Sequence, residues 1–133
     1  MSARRDLVDR FYASFDAADL DAARECFAPD EADAALATWR EFTERVKGAA
    51  PDARLQVVSA IEEGDRIAIE GTLTGAFTAP MRTPKGEAPP SGNAFSLAFA
   101  DVFSTADGRI VRHTVYFDQV EFLTQLGLLP AAA

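Results

Sequence analysis

The sequence is poor in the residues on which disulfide-bonded and metal-bound domains depend. It holds one cysteine, Cys26, and one histidine, His113. A lone cysteine excludes an internal disulfide. One Cys and one His cannot supply a structural zinc set, so no metal is expected. Bases are also scarce: 13 Lys and Arg stand against 21 Asp and Glu, a net charge of −8, and the bases are scattered. That balance excludes a nucleic-acid surface and disfavours anionic membranes. No apolar run approaches the ~18 residues that span a bilayer. The segment Met1-Ser2-Ala3-Arg4-Arg5-Asp6 has charges with no apolar core after them, so no secretory signal is read there and the cytoplasm is the expected location. There is no Walker loop, no GxGxxG after a strand and no G-x-S-x-G elbow, so no nucleotide cofactor is expected.

What is present is a folding chain. Hydrophobic residues at 48% and charged residues at 26% place the 133 residues among globular domains, and residues 1–133 read as a single domain able to enclose a small-molecule pocket. Leu7, Val8, Phe11, Tyr12 and Phe15 recur at helical spacing behind a capping Ser2. Asp19 caps a second helix with Leu20, Ala23 and Phe27 on one stripe. A third helix is predicted from near Asp33, with Leu36, Trp39, Phe42 and Val46 on its apolar face and Gly48 as its stop.

The period then changes. Leu55 to Ile61 and Ile67 to Phe77 read as two strands around a Glu62-Glu63-Gly64-Asp65 turn, with Gly71 and Gly75 marking a bulge or bend. Thr78 to Gly92, with four prolines, reads as a long loop, a candidate lid. Asn93–Ser104 and Arg109–Phe117 are strands joined by Thr105-Ala106-Asp107-Gly108, and a short helix from Gln119 to Leu126 is stopped by Gly127 and Pro130. Helices first and antiparallel strands after give an α+β domain, with the helices closing a curved sheet into a cone around a cavity.

Several short pieces together resemble the SnoaL-like polyketide cyclase family of the nuclear-transport-factor-2-like superfamily. They are Pro51-Asp52-Ala53-Arg54, Glu63-Gly64-Asp65-Arg66, Gly71-Thr72 to Gly75, Ser91-Gly92-Asn93, Asp107-Gly108-Arg109-Ile110-Val111, and then His113, Asp118 and Gln125-Leu126-Gly127. The resemblance implies a cone-shaped α+β barrel with a deep apolar pocket, an apolar small-molecule ligand and a homodimer through the outer sheet face. It also implies acid/base catalysis by an aspartate without metal or nucleotide. The matching position is Asp118, and the histidine that often precedes that aspartate matches His113. Two features differ: Thr114 stands where the family usually has a tryptophan, and Asp30 to Ala35 shows no strand signal between the second and third helices.

Strand alternation sets the expected pocket wall. Ile110, Thr114, Tyr116 and Asp118 share one face, and His113, Val115 and Phe117 the other. With a four-residue hairpin loop, Phe95, Leu97 and Phe99 join the first set, and Asp101 faces Arg112 as a structural ion pair. The expected catalytic residues are therefore Asp118 as general acid/base and Tyr116 as donor to a developing oxyanion, with His113 a weaker candidate on the outer face. Tyr12, Trp39, Phe95, Leu97, Phe99 and Thr114 are the expected substrate-binding residues. Two alternatives stay open at this stage. Asp118-Gln119-Val120-Glu121 also has the form of a capping box, and the same pocket could serve a non-catalytic ligand carrier or an interaction module. Cys26 reads as an inert buried thiol.

Overall fold

A computed structural model describes residues 2–129. Helix α1 (Ala3–Asp16) begins where the Ser2 side chain accepts a hydrogen bond from the Arg5 amide. Its five-residue apolar stripe, Leu7 to Phe15, is wholly buried. Each buried Phe there contributes roughly 2–3 kcal/mol of transfer free energy. Asp19 caps α2 (Leu20–Glu25) by accepting from the Ala22 amide.

Helix α3 (Pro29–Ala49) starts earlier than the apolar periodicity predicts. Pro29 is its first residue, a position where the missing N–H is an orphan in any helix. Gly48 lies inside the helix and does not stop it. The helix ends at Ala50, whose successor Pro51 disfavours helical backbone in the residue before it.

Strands β1 (Arg54–Glu63), β2 (Arg66–Ala76), β5 (Ala94–Ala106) and β6 (Arg109–Phe117) form one antiparallel sheet in the order β1-β2-β5-β6. The sheet is curved but open, because β1 and β6 share no ladder, so it is not a closed barrel. The bulge lies in β1, between Val57 and Ser59, and not in β2. Gly71 opposite it serves close packing: a Cβ there would come within 2.6 Å of both the Phe99 ring and the Gln56 carbonyl oxygen. The expected loop from Thr78 to Gly92 contains a small ribbon, β3 (Met81–Thr83) with β4 (Gly86–Ala88), held to α3 by the buried Met81 and an Arg82–Glu44 pair at 3.7 Å. The final helix, α4 (Gln119–Gln125), is followed by Gly127 in the left-handed region. The Pro130 expected as part of its stop lies outside the described residues.

The family-like motifs of the sequence are backbone clamps. Gln125 fastens α4 to β5 by accepting from the Ser96 amide at 2.7 Å and donating to its carbonyl at 3.1 Å. The Ser91 hydroxyl donates to the Leu126 carbonyl, and the Asn93 amide to that of Gln125. Asp52 accepts from the Ala76 amide, tying the entry of β1 to the end of β2.

The hairpin between β5 and β6 decides which side chains face the helices. Its turn is the two residues Asp107-Gly108, both at positive φ, and not the four residues expected. The ladder then shifts: Thr105 pairs with Ile110 but Ser104 with Arg112, so Val111 is an extra residue. Beyond this bulge the alternation reverses. Asp101 pairs with Val115, not Arg112, and no Asp101–Arg112 ion pair forms.

Candidate functional site

The segment between α2 and α3 is hydrogen-bonded to β6 at Ile110. Phe27 forms a parallel bridge to Ile110, the Ile110 amide donates to the Cys26 carbonyl, and the Ala28 amide donates to the Ile110 carbonyl. From there α3 diverges from β6, and a cavity of about 560 Å³ opens between them. Its walls carry the rings of Phe27, Trp39, Phe42, Phe99, Phe117 and Phe122, with Leu55, Leu73 and Leu97 on the sheet side. The exposed members of the lining, among them Glu31 and Thr38 on α3 and Arg112 and Val115 on β6, place the mouth along the free edge of β6. No residue from Thr78 to Gly92 lines the cavity, so that segment is not its lid.

Two ionisable side chains stand in the aromatic wall. Asp101, from β5, is only 3% exposed. Its Oδ1 lies 3.1 Å from Nε2 of His113 on β6, and its Oδ2 accepts the hydroxyl of Tyr12 from α1. The His113 ring lies flat on Phe103, with centroids 4.6 Å apart, and meets Phe11 and Trp39 edge-on. Phe103 and His113 are cross-strand partners, so the bulge at Val111 is what delivers the histidine to this place. Burial, and then the neighbouring Asp101 charge, push the Tyr12 hydroxyl far above the usual tyrosine range, and it stays protonated and donating.

In the tautomer that carries its hydrogen on Nε2, His113 donates to the Asp101 carboxylate. In that tautomer the lone pair of the ring is on Nδ1. Among the described residues no protein group pairs with Nδ1, and Nδ1 is not among the sealed buried atoms, while His113 lines the cavity. The His113 ring borders the hollow, and Nδ1 is its nitrogen not engaged by Asp101. A base whose far side is held by a carboxylate takes a proton and has the resulting cation stabilised.

The remaining expected residues divide clearly. Trp39, Leu97 and Phe99 line the cavity as expected. Phe95 is buried behind it, edge-on to Phe122, and Tyr12 meets it only through Asp101. Thr114 and Tyr116 lie on the opposite face of the sheet, in a polar depression with Arg66 and Ser104, and Tyr116 is 61% exposed. Asp118 is exposed and caps α4 by accepting from the Glu121 amide at 3.0 Å. The placement of Thr114, Tyr116 and Asp118 in the pocket is thus corrected, and the cause is the extra residue at Val111. Asp101, expected as half of an ion pair, is instead a cavity-wall residue. The run Phe95, Leu97, Phe99, Asp101, Phe103 is the signal that marks it, since four apolar residues at every second position put the fifth, an aspartate, on their face. Cys26 is buried, and burial pushes its thiol up from the ordinary range, as an inert packing group requires.

Solved structures share this architecture. AclR of Streptomyces galilaeus, a candidate hydroxylase, is 25% identical at a TM-score of 0.78, with 98% of this chain and 84% of that one covered. IdmH of Streptomyces antibioticus, a candidate polyketide cyclase, is 26% identical at a TM-score of 0.75, covering 92% and 97%. TsrD of Streptomyces laurentii, at 22% identity, shares the fold with a TM-score of 0.78, and 96% of each chain is covered. No curated protein matches the chain. The pattern of the SnoaL-like polyketide cyclases matches residues 6–126, so the chain belongs to the SnoaL-like polyketide cyclase family.

Proposed function

We propose that this protein is an enzyme doing cofactor-free acid/base chemistry on an apolar carbonyl compound, with His113 as the acid/base. The observation that supports this reading is the Asp101–His113 pair set in the wall of an aromatic cavity. Nδ1 takes a proton from the carbon beside a carbonyl. The C–H bond breaks, its electron pair moves onto the carbonyl oxygen as an enolate, and the ring becomes an imidazolium stabilised by Asp101. The imidazolium returns the proton to carbon in an isomerisation, or to the new alkoxide once the enolate carbon has closed on a second carbonyl in a cyclisation. In a dehydration it gives the proton to the departing hydroxyl. Thr38 and Arg112 offer donors to oxygens near the mouth. Candidate roles of the named neighbours, a cyclase and a hydroxylase, fit a small-molecule pocket of this kind.

The reading includes a single domain over residues 1–133, a cytoplasmic location and a homodimer through the outer sheet face, where Ile61 and Tyr116 stand exposed. A second reading has its own support: with Asp118 turned to the α4 amides, the aspartate that the family resemblance makes catalytic is spent on a cap, as in a ligand carrier.

Nitrobenzisoxazole decides between them. Removal of its ring proton by a base breaks its N–O bond and releases a coloured cyanonitrophenolate, so the probe reports a general base in an apolar pocket without knowledge of the natural substrate. The native protein is expected to eliminate the probe, and His113→Ala to lower kcat by about 10²–10⁴. Binding of the probe, read by quenching of the sole tryptophan, Trp39, with a rate no faster than that of His113→Ala would support the carrier instead.

A further inference from the structure

The contact from α1 into the wall has a role that the cavity lining alone does not reveal. We infer that Tyr12 is a positioning residue for the proposed reaction: its hydroxyl, arriving from a different element, holds Asp101 as an acceptor-only carboxylate so that His113 keeps its proton on Nε2 and its lone pair toward the cavity. The inference rests on the acid/base reading of His113.

Three elements meet at this point. Tyr12 comes from α1, Asp101 from β5 and His113 from β6, and all three are buried or nearly so. Asp101 divides its oxygens between them, Oδ2 to Tyr12 and Oδ1 to His113. The Tyr12 ring cannot turn away freely, because it packs against Phe99, Phe103 and Phe11. Without the hydroxyl, Oδ2 is a buried oxygen with no donor, and the group has two ways to relieve that. It can rotate toward other donors, releasing Nε2, or it can take up a proton and donate to Nε2. The second way moves the ring hydrogen to Nδ1 and turns a base toward the cavity into a donor. Both ways scramble the histidine, while the residue changed, Tyr12, lies outside the cavity lining.

The chain has a single histidine, so nitrogen NMR of the ring reports on His113 alone. The native protein is expected to show one neutral tautomer, with the hydrogen on Nε2, and a slowly exchanging Tyr12 hydroxyl proton. Tyr12→Phe keeps the ring and removes the hydroxyl. It should give a mixture of tautomers or the Nδ1–H form, and lower kcat for nitrobenzisoxazole about 10- to 100-fold at unchanged KM, the loss of one hydrogen bond to a charged group. A folded Tyr12→Phe protein with the native tautomer and native kcat would overturn the inference. So would a native protein with the hydrogen on Nδ1, a measurement that stands even if the variant fails to fold. If the native tautomer is the expected one and shifts in Tyr12→Phe while the native protein never eliminates the probe, the positioning role holds and the acid/base reading falls.

Discussion

Two aspartates separate the two halves of this molecule's chemistry. Asp101 lies within the β5 ladder, walled by aromatic rings, and receives hydrogen bonds from two other elements. Asp118 lies where β6 gives way to α4, exposed, and receives one hydrogen bond from an amide of its own helix. The side chains are identical, so the difference is entirely one of surroundings. A carboxylate whose neighbours are water and a helix start is solvated whatever its partner does. A carboxylate sealed among rings depends on each donor it has, and each donor depends on it.

The comparison is broken most severely by Asp101→Ala. That change strands the Tyr12 hydroxyl and His113 Nε2–H in an apolar wall, and an unsatisfied buried donor costs about 1–3 kcal/mol. Chemical denaturation is expected to show a loss of roughly 2–6 kcal/mol for the pair, along with loss of nitrobenzisoxazole turnover. If stability fell by less than the cost of a single donor, the three buried side chains would not form one structural unit.

The titration of Tyr12 sharpens the same contrast. Burial and the Asp101 charge raise its hydroxyl above the ordinary tyrosine value of about 10. Above that pH the unfolded chain gives up this proton while the folded protein keeps it. The folded state then binds more protons, so stability falls as pH rises past about 10. The buried Cys26 thiol, also raised, adds a decline of the same sign that begins about a unit lower. Thermal midpoints measured from pH 8 to 11 should drop less steeply in Tyr12→Phe than in the native protein. Parallel curves would mean that Tyr12 is solvated.

Much of the fold was legible in the residues, and the site only in part. The stripe of α1, the caps Ser2 and Asp19, and the alternation in β5 follow directly from periodicity and capping chemistry. The start of α3 was obscured because Pro29 looks like a breaker and is a first-turn residue. The site departs from simple strand alternation at one residue. Alternation counted through Val111 turns Thr114, Tyr116 and Asp118 inward; the bulge turns His113, Val115 and Phe117 inward instead. A bulge is set by how the Asp107-Gly108 turn closes and by what pairs across the ladder, and neither shows in the local sequence of β6. Asp101 was hidden for the same reason, since its true neighbours come from α1 and from the far side of the bulge.

The smallest effect is expected at Asp118, and it is the most informative about the comparison. As an N-cap, this side chain needs an oxygen that accepts from the Glu121 amide, and Asn supplies one as well as Asp does. Asp118→Ala removes the acceptor and should cost about 1 kcal/mol. Asp118→Asn removes only the charge and the capacity to exchange a proton. The N-terminal end of α4 favours a negative charge by a few tenths of a kcal/mol at an exposed site, so the thermal midpoint of Asp118→Asn should barely move. Turnover of nitrobenzisoxazole should be native as well, since this carboxylate does not reach the cavity. A folded Asp118→Asn protein with turnover reduced a hundredfold would reverse the assignment. It would mean that α4 rearranges to bring Asp118 over the mouth, and that the exposed aspartate, not the buried one, is the group the chemistry depends on.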